Sequence, residues 1–107
     1  MRYQGGKSRI AKPIAQIIMQ VAGGDCFVSL FCGSCAVESK VQGFSRKLLN
    51  DRHEYLIAML QGVQQGYNLP EHITLEQYRY IRENKDADPV LAGFVGFGCS
   101  FGGKWFG

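Results

Sequence analysis

The chain has 107 residues, which is enough for one small domain with a single modest core. Hydrophobic residues make up 46% and charged residues 20%, which excludes a disordered chain, and no apolar run approaches the roughly 18 residues of a membrane span. The net charge of +3 is compatible with a polyanionic partner but does not identify one, because many small domains carry a similar charge.

The first residues argue against two classes of protein. They contain no apolar segment of the kind found in signal peptides, so we expect an intracellular protein without a membrane partner, whose four cysteines are mostly reduced. Gly6-Lys7-Ser8 matches the end of a phosphate-binding loop, but that loop also requires a preceding strand and a glycine where this chain has Met1. We therefore do not expect a nucleoside triphosphatase.

Apolar spacing in the N-terminal part of the chain predicts alternating helices and strands. A helix is predicted over residues 9–22, with Pro13 in its first turn. The elements predicted after it are a buried strand over residues 26–31, a tight loop over 32–35, a short helix over 36–41, a second strand over 47–50 and a helix around residues 56–63. This order is that of the first half of a doubly wound α/β fold, a partial Rossmann-like domain.

The C-terminal part of the chain is predicted to be helical and then rich in glycine and aromatic residues. Thr74 and Gln77 have the spacing of a capping box that opens a helix reaching to about residue 83. Asp88 and Pro89 suit the start of another helix, over an apolar stretch with glycines three residues apart. We accordingly divide the chain into two functional regions, residues 1–66 and residues 67–107.

Asp51 is the first candidate binding residue. It follows the second predicted strand and lies 18 positions after Gly33, which is in the loop after the first strand. In nucleotide-binding α/β folds, a carboxylate about 20 residues after the glycine loop accepts hydrogen bonds from ribose hydroxyls. The loop itself is predicted to run into a helix N-terminus, where a ligand can approach the backbone. Asp51 also suits the N-cap of the helix that contains Leu56, and the two roles are compatible.

The cysteines offer two alternatives. Cys32-Gly-Ser-Cys35 lies between a predicted strand and a predicted helix, as in thioredoxin-like thiol–disulfide proteins, where the helix N-terminus lowers the pKa of the first thiol. That fold also needs a proline before an apolar strand, and neither Pro70 nor Pro89 is so placed. A zinc site would have to draw on Cys26, Cys32, Cys35, Cys99, His53 and His72, without a second C-x-x-C pair. By default we expect Cys26 and Cys99 to be small buried residues and both histidines to lie on the surface.

Four segments of the chain, in order and at suitable distances, resemble Dam-like N6-adenine DNA methyltransferases, in particular the forms carried by bacteriophages. They are Tyr3-x-Gly-Gly-Lys7, Leu30-Phe31-Cys-Gly33-Ser-Cys-Ala-Val, Leu49-Asn50-Asp51-x-x-x-Tyr-Leu-Ile and Gly93-Phe-Val-Gly-Phe-Gly-Cys-Ser-Phe-Gly-Gly-Lys-Trp-Phe. The resemblance covers essentially the whole chain. It implies transfer of a methyl group from S-adenosylmethionine (SAM) to N6 of adenine in double-stranded DNA, in the cytoplasm of a bacterial host cell.

The resemblance also implies five cofactor-binding residues and one DNA contact. In the family, an N-terminal aromatic residue and a lysine lie against SAM, a glycine loop forms the pocket, and a carboxylate holds the ribose hydroxyls. The aromatic residue corresponds to Tyr3, the lysine to Lys7, the glycine loop to Phe31 and Gly33, and the carboxylate to Asp51. The DNA contact is Lys104, in the glycine and aromatic tail, which would open the region that meets DNA.

The chain departs from the family pattern in two places. The family loop reads Glu-Pro-Phe-x-Gly-x-Gly, whereas this chain has Ser29 and Leu30 in place of Glu-Pro and Cys35 in place of the last glycine. The Asp-Pro-Pro-Tyr motif that holds the flipped adenine is absent, since Asp88-Pro89 continues with Val-Leu. We therefore interpret the chain as the cofactor-binding N-terminal portion of such an enzyme, truncated and inactive alone. It then either needs a second chain that supplies the missing half or acts as a non-catalytic module that binds SAM and DNA.

Overall fold

A computed structural model describes residues 3–107 of the protein. These residues form two compact units, one made of residues 5–52 and the other of residues 53–107 together with Tyr3 and Gln4. The predicted boundary after residue 66 concerned function rather than packing, and it stays a prediction.

The unit of residues 5–52 contains one α-helix and one pair of parallel strands. Helix α1 spans Ala11–Val21, close to the predicted bounds, and Ala11 and Ala15 are its buried residues. Strand β1 spans Cys26–Ser29 and pairs with β2, which spans Arg46–Leu49, so that Cys26 lies opposite Arg46. The parallel pair agrees with the predicted α/β class, and the Rossmann-like assignment stays a prediction.

The prediction of a buried first strand is wrong. Val28, in the middle of β1, is 54% exposed, and every residue of β2 is exposed. A parallel sheet buries its strands by covering both faces with helices, and among residues 3–107 this sheet has two strands. The prediction of a strand at these apolar residues is therefore confirmed, and the prediction that the strand is buried is not.

The short helix predicted over residues 36–41 is a single 3₁₀ turn, Glu38–Lys40, which packs against α1. One turn of this kind satisfies few backbone groups and has no extended row of aligned peptide dipoles. The loop after β1 consequently does not lead into the N-terminus of an α-helix, and the prediction that it does is wrong.

The unit that contains residues 53–107 is helical, as predicted. Helix α2 spans Glu54–Gln64, α3 spans Leu75–Glu83 and α4 spans Pro89–Gly98. Of the helices described in residues 3–107, none is long and apolar enough to cross a membrane.

Local signals set the starts of α3 and α4. The Thr74 hydroxyl accepts a hydrogen bond from the Gln77 amide, and the Gln77 side chain accepts one from the Thr74 amide, at 3.1 and 2.9 Å. This is the predicted capping box. Asp88 caps α4 by accepting from the Leu91 amide at 3.2 Å, with Pro89 as the first helical residue.

Two apolar clusters form the core of the helical unit. One contains Leu56, Met59 and Phe97, with Tyr3 and Trp105 packed against it, and the other is built around Ile81, Ala92 and Val95. Because α4 contributes to both clusters, it is the central helix of this unit.

Candidate functional site

The two strands end at the same edge of the sheet, and the candidate site lies at this edge. Parallel pairing places Ser29, the last residue of β1, opposite Leu49, the last residue of β2. The Asn50 amide donates to the Ser29 carbonyl at 2.8 Å, and the Cys32 amide donates to the Asn50 carbonyl at 2.7 Å. These bonds hold the loop after β1 against the residues that follow β2.

Gly33 and Asp51, which the sequence spacing singled out, are in direct contact. The Gly33 amide donates to Oδ2 of Asp51 at 3.0 Å, and Gly33 has a φ of +54°. A carboxylate so placed fixes the loop conformation and adds negative charge at the carboxyl edge of the sheet, where ligands of α/β folds bind.

Asp51 does not cap the following helix, so that predicted second role is wrong. The N-cap of α2 is His53, whose Nδ1 accepts from the Leu56 amide at 3.3 Å. Sequence reasoning favoured Asp51 because aspartate is a common N-cap residue, but the helix begins two residues further along the chain.

Two large apolar side chains of the loop face solvent. Phe31 is 84% exposed and Leu30 is 61% exposed. Single polar residues and single apolar residues are common on any protein surface. An apolar surface together with a fixed carboxylate at a sheet edge is less common, and it suits a ligand that has both apolar and polar groups.

Glu38 is a polar residue of this site that the sequence reasoning missed. Its side chain is only 7% exposed, and its Oε1 accepts a hydrogen bond from the Ser29 hydroxyl at 2.8 Å. The two residues are nine positions apart, on either side of the loop, so no local pattern pairs them.

Cys35 occupies a conformation that normally requires glycine. Its φ is +64°, whereas left-handed backbone costs a residue with a Cβ about 1 kcal/mol or more. The family loop pattern has glycine at this position. The glycine of that pattern therefore avoids backbone strain, and in this chain Cys35 is strained at the same position.

The comparison with known protein families identifies the chain. Residues 3–91 match the model of the D12 class N6 adenine-specific DNA methyltransferases. The chain belongs to this family. No curated protein and no solved structure matches it. The family methylates adenine in DNA, and a methyltransferase of this kind implies SAM as its methyl donor.

The cysteine pair in this methyltransferase chain does not have the properties of a redox pair. Burial chiefly, together with a hydrogen bond to Cys35 and the charges of Cys35, Asp51 and Glu38, raises the pKa of the Cys32 thiol to about 12. The pKa of Cys35 is raised too, chiefly by burial. A thioredoxin-type nucleophile needs the opposite shift, because the thiolate is the reactive species. The α-helix that would lower the pKa is also missing after the loop.

The remaining cysteines and histidines give two corrections. Cys26 and Cys99 are exposed, so the prediction that they are buried is wrong. His53 is half-buried and packs edge-on against Phe97 and Trp105, at 4.8 and 4.3 Å between ring centroids, so the prediction of a surface residue is wrong for it. His72 is exposed as predicted. Within residues 3–107, no group of His, Cys, Asp and Glu side chains is placed to hold a metal ion.

The other residues assigned by resemblance lie outside the Gly33–Asp51 contact. Lys7 is exposed and its Nζ donates to the Gly5 carbonyl at 2.9 Å. Tyr3 belongs to the helical unit, where its ring lies 4.8 Å from that of Phe97. Lys104 is exposed in the tail. The cofactor and DNA roles of these three residues stay predictions.

Proposed function

We propose that this chain binds SAM at the carboxyl edge of the β1–β2 pair, as the cofactor-binding portion of a DNA adenine methyltransferase. The observation that carries the proposal is the hydrogen bond from the Gly33 amide to Asp51 Oδ2. It joins a glycine loop to a carboxylate at the end of the neighbouring strand, which is the arrangement that α/β folds use for adenosine ligands.

The chemistry of the loop suits SAM. The carboxylate of Asp51 accepts hydrogen bonds from the two ribose hydroxyls, and the exposed ring of Phe31 provides an apolar face for the adenosine part. Lys7 and Tyr3 keep the cofactor-binding roles that the family resemblance implies. When bound, SAM supplies an electrophilic methyl group on a sulfonium, and the residues of this chain orient it and exclude water.

The second part of the proposal is that these 107 residues bind SAM without transferring its methyl group. The sequence contains no Asp-Pro-Pro-Tyr, and its one Asp-Pro has a different task. Asp88 accepts hydrogen bonds from the Leu91 amide at 3.2 Å and from the Tyr67 hydroxyl at 2.7 Å. A carboxylate committed to a helix cap and a tyrosine does not hold an adenine amine. The groups that hold the target base therefore come from outside these residues, for example from a second chain.

A titration of the purified chain with SAM tests the proposal. We expect saturable binding heat and a raised melting temperature, because a ligand at 100 times its Kd stabilises a fold by about 2.7 kcal/mol. ATP serves as the control nucleotide and is expected to give a smaller shift than SAM, since it shares the adenosine part but the chain lacks a complete phosphate-binding loop. Absence of SAM binding would refute the proposal. Transfer of a labelled methyl group to an adenine-containing duplex by this chain alone would contradict its second part.

We also propose that Lys104 contacts double-stranded DNA. Lys104 is exposed, and the neighbouring Phe101 is 90% exposed, so one turn of the tail presents both a cation and an aromatic ring. Lys104→Ala is expected to weaken duplex binding about threefold to tenfold at low salt and to reduce the slope of log K against log salt by about one. Fluorescence anisotropy over a salt series measures both. Lys12→Ala, a change at an exposed lysine of α1, is the control; equal effects of the two changes would refute a specific role for Lys104.

A further inference from the structure

We propose that Glu38 is a cofactor-binding residue whose carboxylate meets the cationic methionyl part of SAM. The inference rests on the proposed function and adds a residue to it. In the family loop a glutamate stands where this chain has Ser29, and here the Glu38 carboxylate is bonded to the hydroxyl of that serine. A carboxylate is therefore present at the end of β1, although it comes from the other side of the loop.

The geometry leaves one oxygen of Glu38 available to a ligand. Oε1 accepts from the Ser29 hydroxyl at 2.8 Å. Among the described side chains, no buried nitrogen or oxygen atom lacks a hydrogen-bond partner. Oε2 has no hydrogen bond within residues 3–107, so it is not among the fully enclosed atoms, although only 7% of the residue is exposed.

The environment of Glu38 favours a cation at that oxygen. Within residues 3–107, no Lys, Arg or His side chain forms an ion pair with Glu38; Arg82 pairs with Glu83 instead. The nearby cation, Lys47, donates its Nζ to the Glu38 backbone carbonyl at 3.0 Å and so fixes the main chain. A largely buried carboxylate without a paired cation is unfavourable, and a cationic ligand group offsets this cost. SAM carries two such groups, an ammonium and a sulfonium.

Glu38 also acts on the same loop as Asp51. Its charge contributes to the raised pKa of both Cys32 and Cys35, as the charge of Asp51 does. Both carboxylates are therefore within electrostatic range of the loop thiols. With Asp51 on the ribose, Glu38 is the remaining negative charge of the loop that can meet the methionyl part.

Glu38→Gln tests the inference, because glutamine keeps an oxygen that accepts from Ser29 and removes only the charge. We expect SAM binding to weaken at least about tenfold, while binding of 5′-methylthioadenosine, which lacks the amino-acid part, stays unchanged. S-adenosylhomocysteine, which has the ammonium but not the sulfonium, distinguishes the two cations. If the Glu38 carboxylate meets the ammonium, Glu38→Gln weakens the binding of this ligand by the same factor as that of SAM. If the carboxylate meets the sulfonium, Glu38→Gln leaves the binding of this ligand unchanged. Circular dichroism checks that the variant is folded.

The double change Ser29→Glu with Glu38→Gln provides a rescue, since it returns a carboxylate to the same place from the β1 side. It is expected to regain most of the SAM affinity. Unchanged SAM binding by Glu38→Gln would overturn the inference, and so would an equal loss for all three ligands, which would indicate a role in loop structure only. If the unaltered chain does not bind SAM, the proposed function itself fails, which is a distinguishable result.

Discussion

Asp51→Asn is expected to weaken SAM binding by about 10- to 100-fold while leaving the fold intact. Asparagine keeps one oxygen, which can still accept the hydrogen bond that the Gly33 amide donates at 3.0 Å. It loses the negative charge and one acceptor, so the ribose hydroxyls lose charge-assisted hydrogen bonds, each of which contributes about 1.5–3 kcal/mol. Isothermal titration calorimetry of both proteins measures the difference.

Asp25→Asn is the matched control for this prediction. Asp25 directly precedes β1, at the opposite end of the same sheet, and it is bonded to Ser45 and Arg46 through its backbone carbonyl. The same chemical change there is expected to leave SAM affinity unaltered. A SAM analogue without the ribose 2′-hydroxyl is expected to lose less affinity from Asp51→Asn than SAM does. Equal affinities of the Asp51→Asn variant and the unaltered chain for SAM would show that the carboxylate does not hold the ribose.

The helices of the C-terminal part were predictable because their signals are local. The capping box at Thr74 and Gln77 involves residues three positions apart, and the Asp88-Pro89 start involves neighbours. Such signals act through backbone amides of the same segment, so tertiary packing changes them little. The observed α3, Leu75–Glu83, ends at the residue where the helix was predicted to end.

Burial was less predictable, because it depends on what the rest of the chain can place over a residue. Cys26 and Val28 have the composition of a core strand, but a two-stranded sheet leaves them exposed. His53 is predicted to lie on the surface, yet it caps α2 and packs against the ring of Trp105, 52 positions away in the sequence, which leaves it half-buried. Neither outcome can be read from a window of neighbouring residues.

The candidate site was predictable in part. Two parallel strands with aligned ends bring the residues after them together, which is why the spacing between Gly33 and Asp51 indicated a contact that the structure contains. The Ser29–Glu38 bond was not predictable, because it depends on how the intervening loop folds back. The family pattern indicated only that a carboxylate was missing at position 29, not that another residue supplies one.

Gly93→Ala is expected to destabilise the helical unit by about 3 kcal/mol or more, the upper part of the range for overpacked cores. A Cβ at this position would lie 2.1 Å from the carbonyl oxygen of Tyr55 in α2 and 2.9 Å from Cβ of Met59. The first contact is with backbone, which cannot rotate away, so α2 and α4 would have to separate. Alanine is the better helix former by about 1 kcal/mol, which offsets only part of this cost. Urea unfolding followed by circular dichroism measures the change.

Gly23→Ala is the control for this change, since a Cβ there has open space around it. It is expected to alter the free energy of unfolding by less than about 0.5 kcal/mol. Gly96→Ala extends the test to the aromatic cluster, because its Cβ would lie 2.1 Å from the ring of Trp105, the single tryptophan of the chain. That ring stacks on Tyr55 at 5.5 Å, so its displacement into water is expected to shift tryptophan emission to longer wavelength. If Gly93→Ala is as stable as Gly23→Ala, or Gly96→Ala leaves the emission unchanged, the close packing of α2, α4 and Trp105 does not exist in solution.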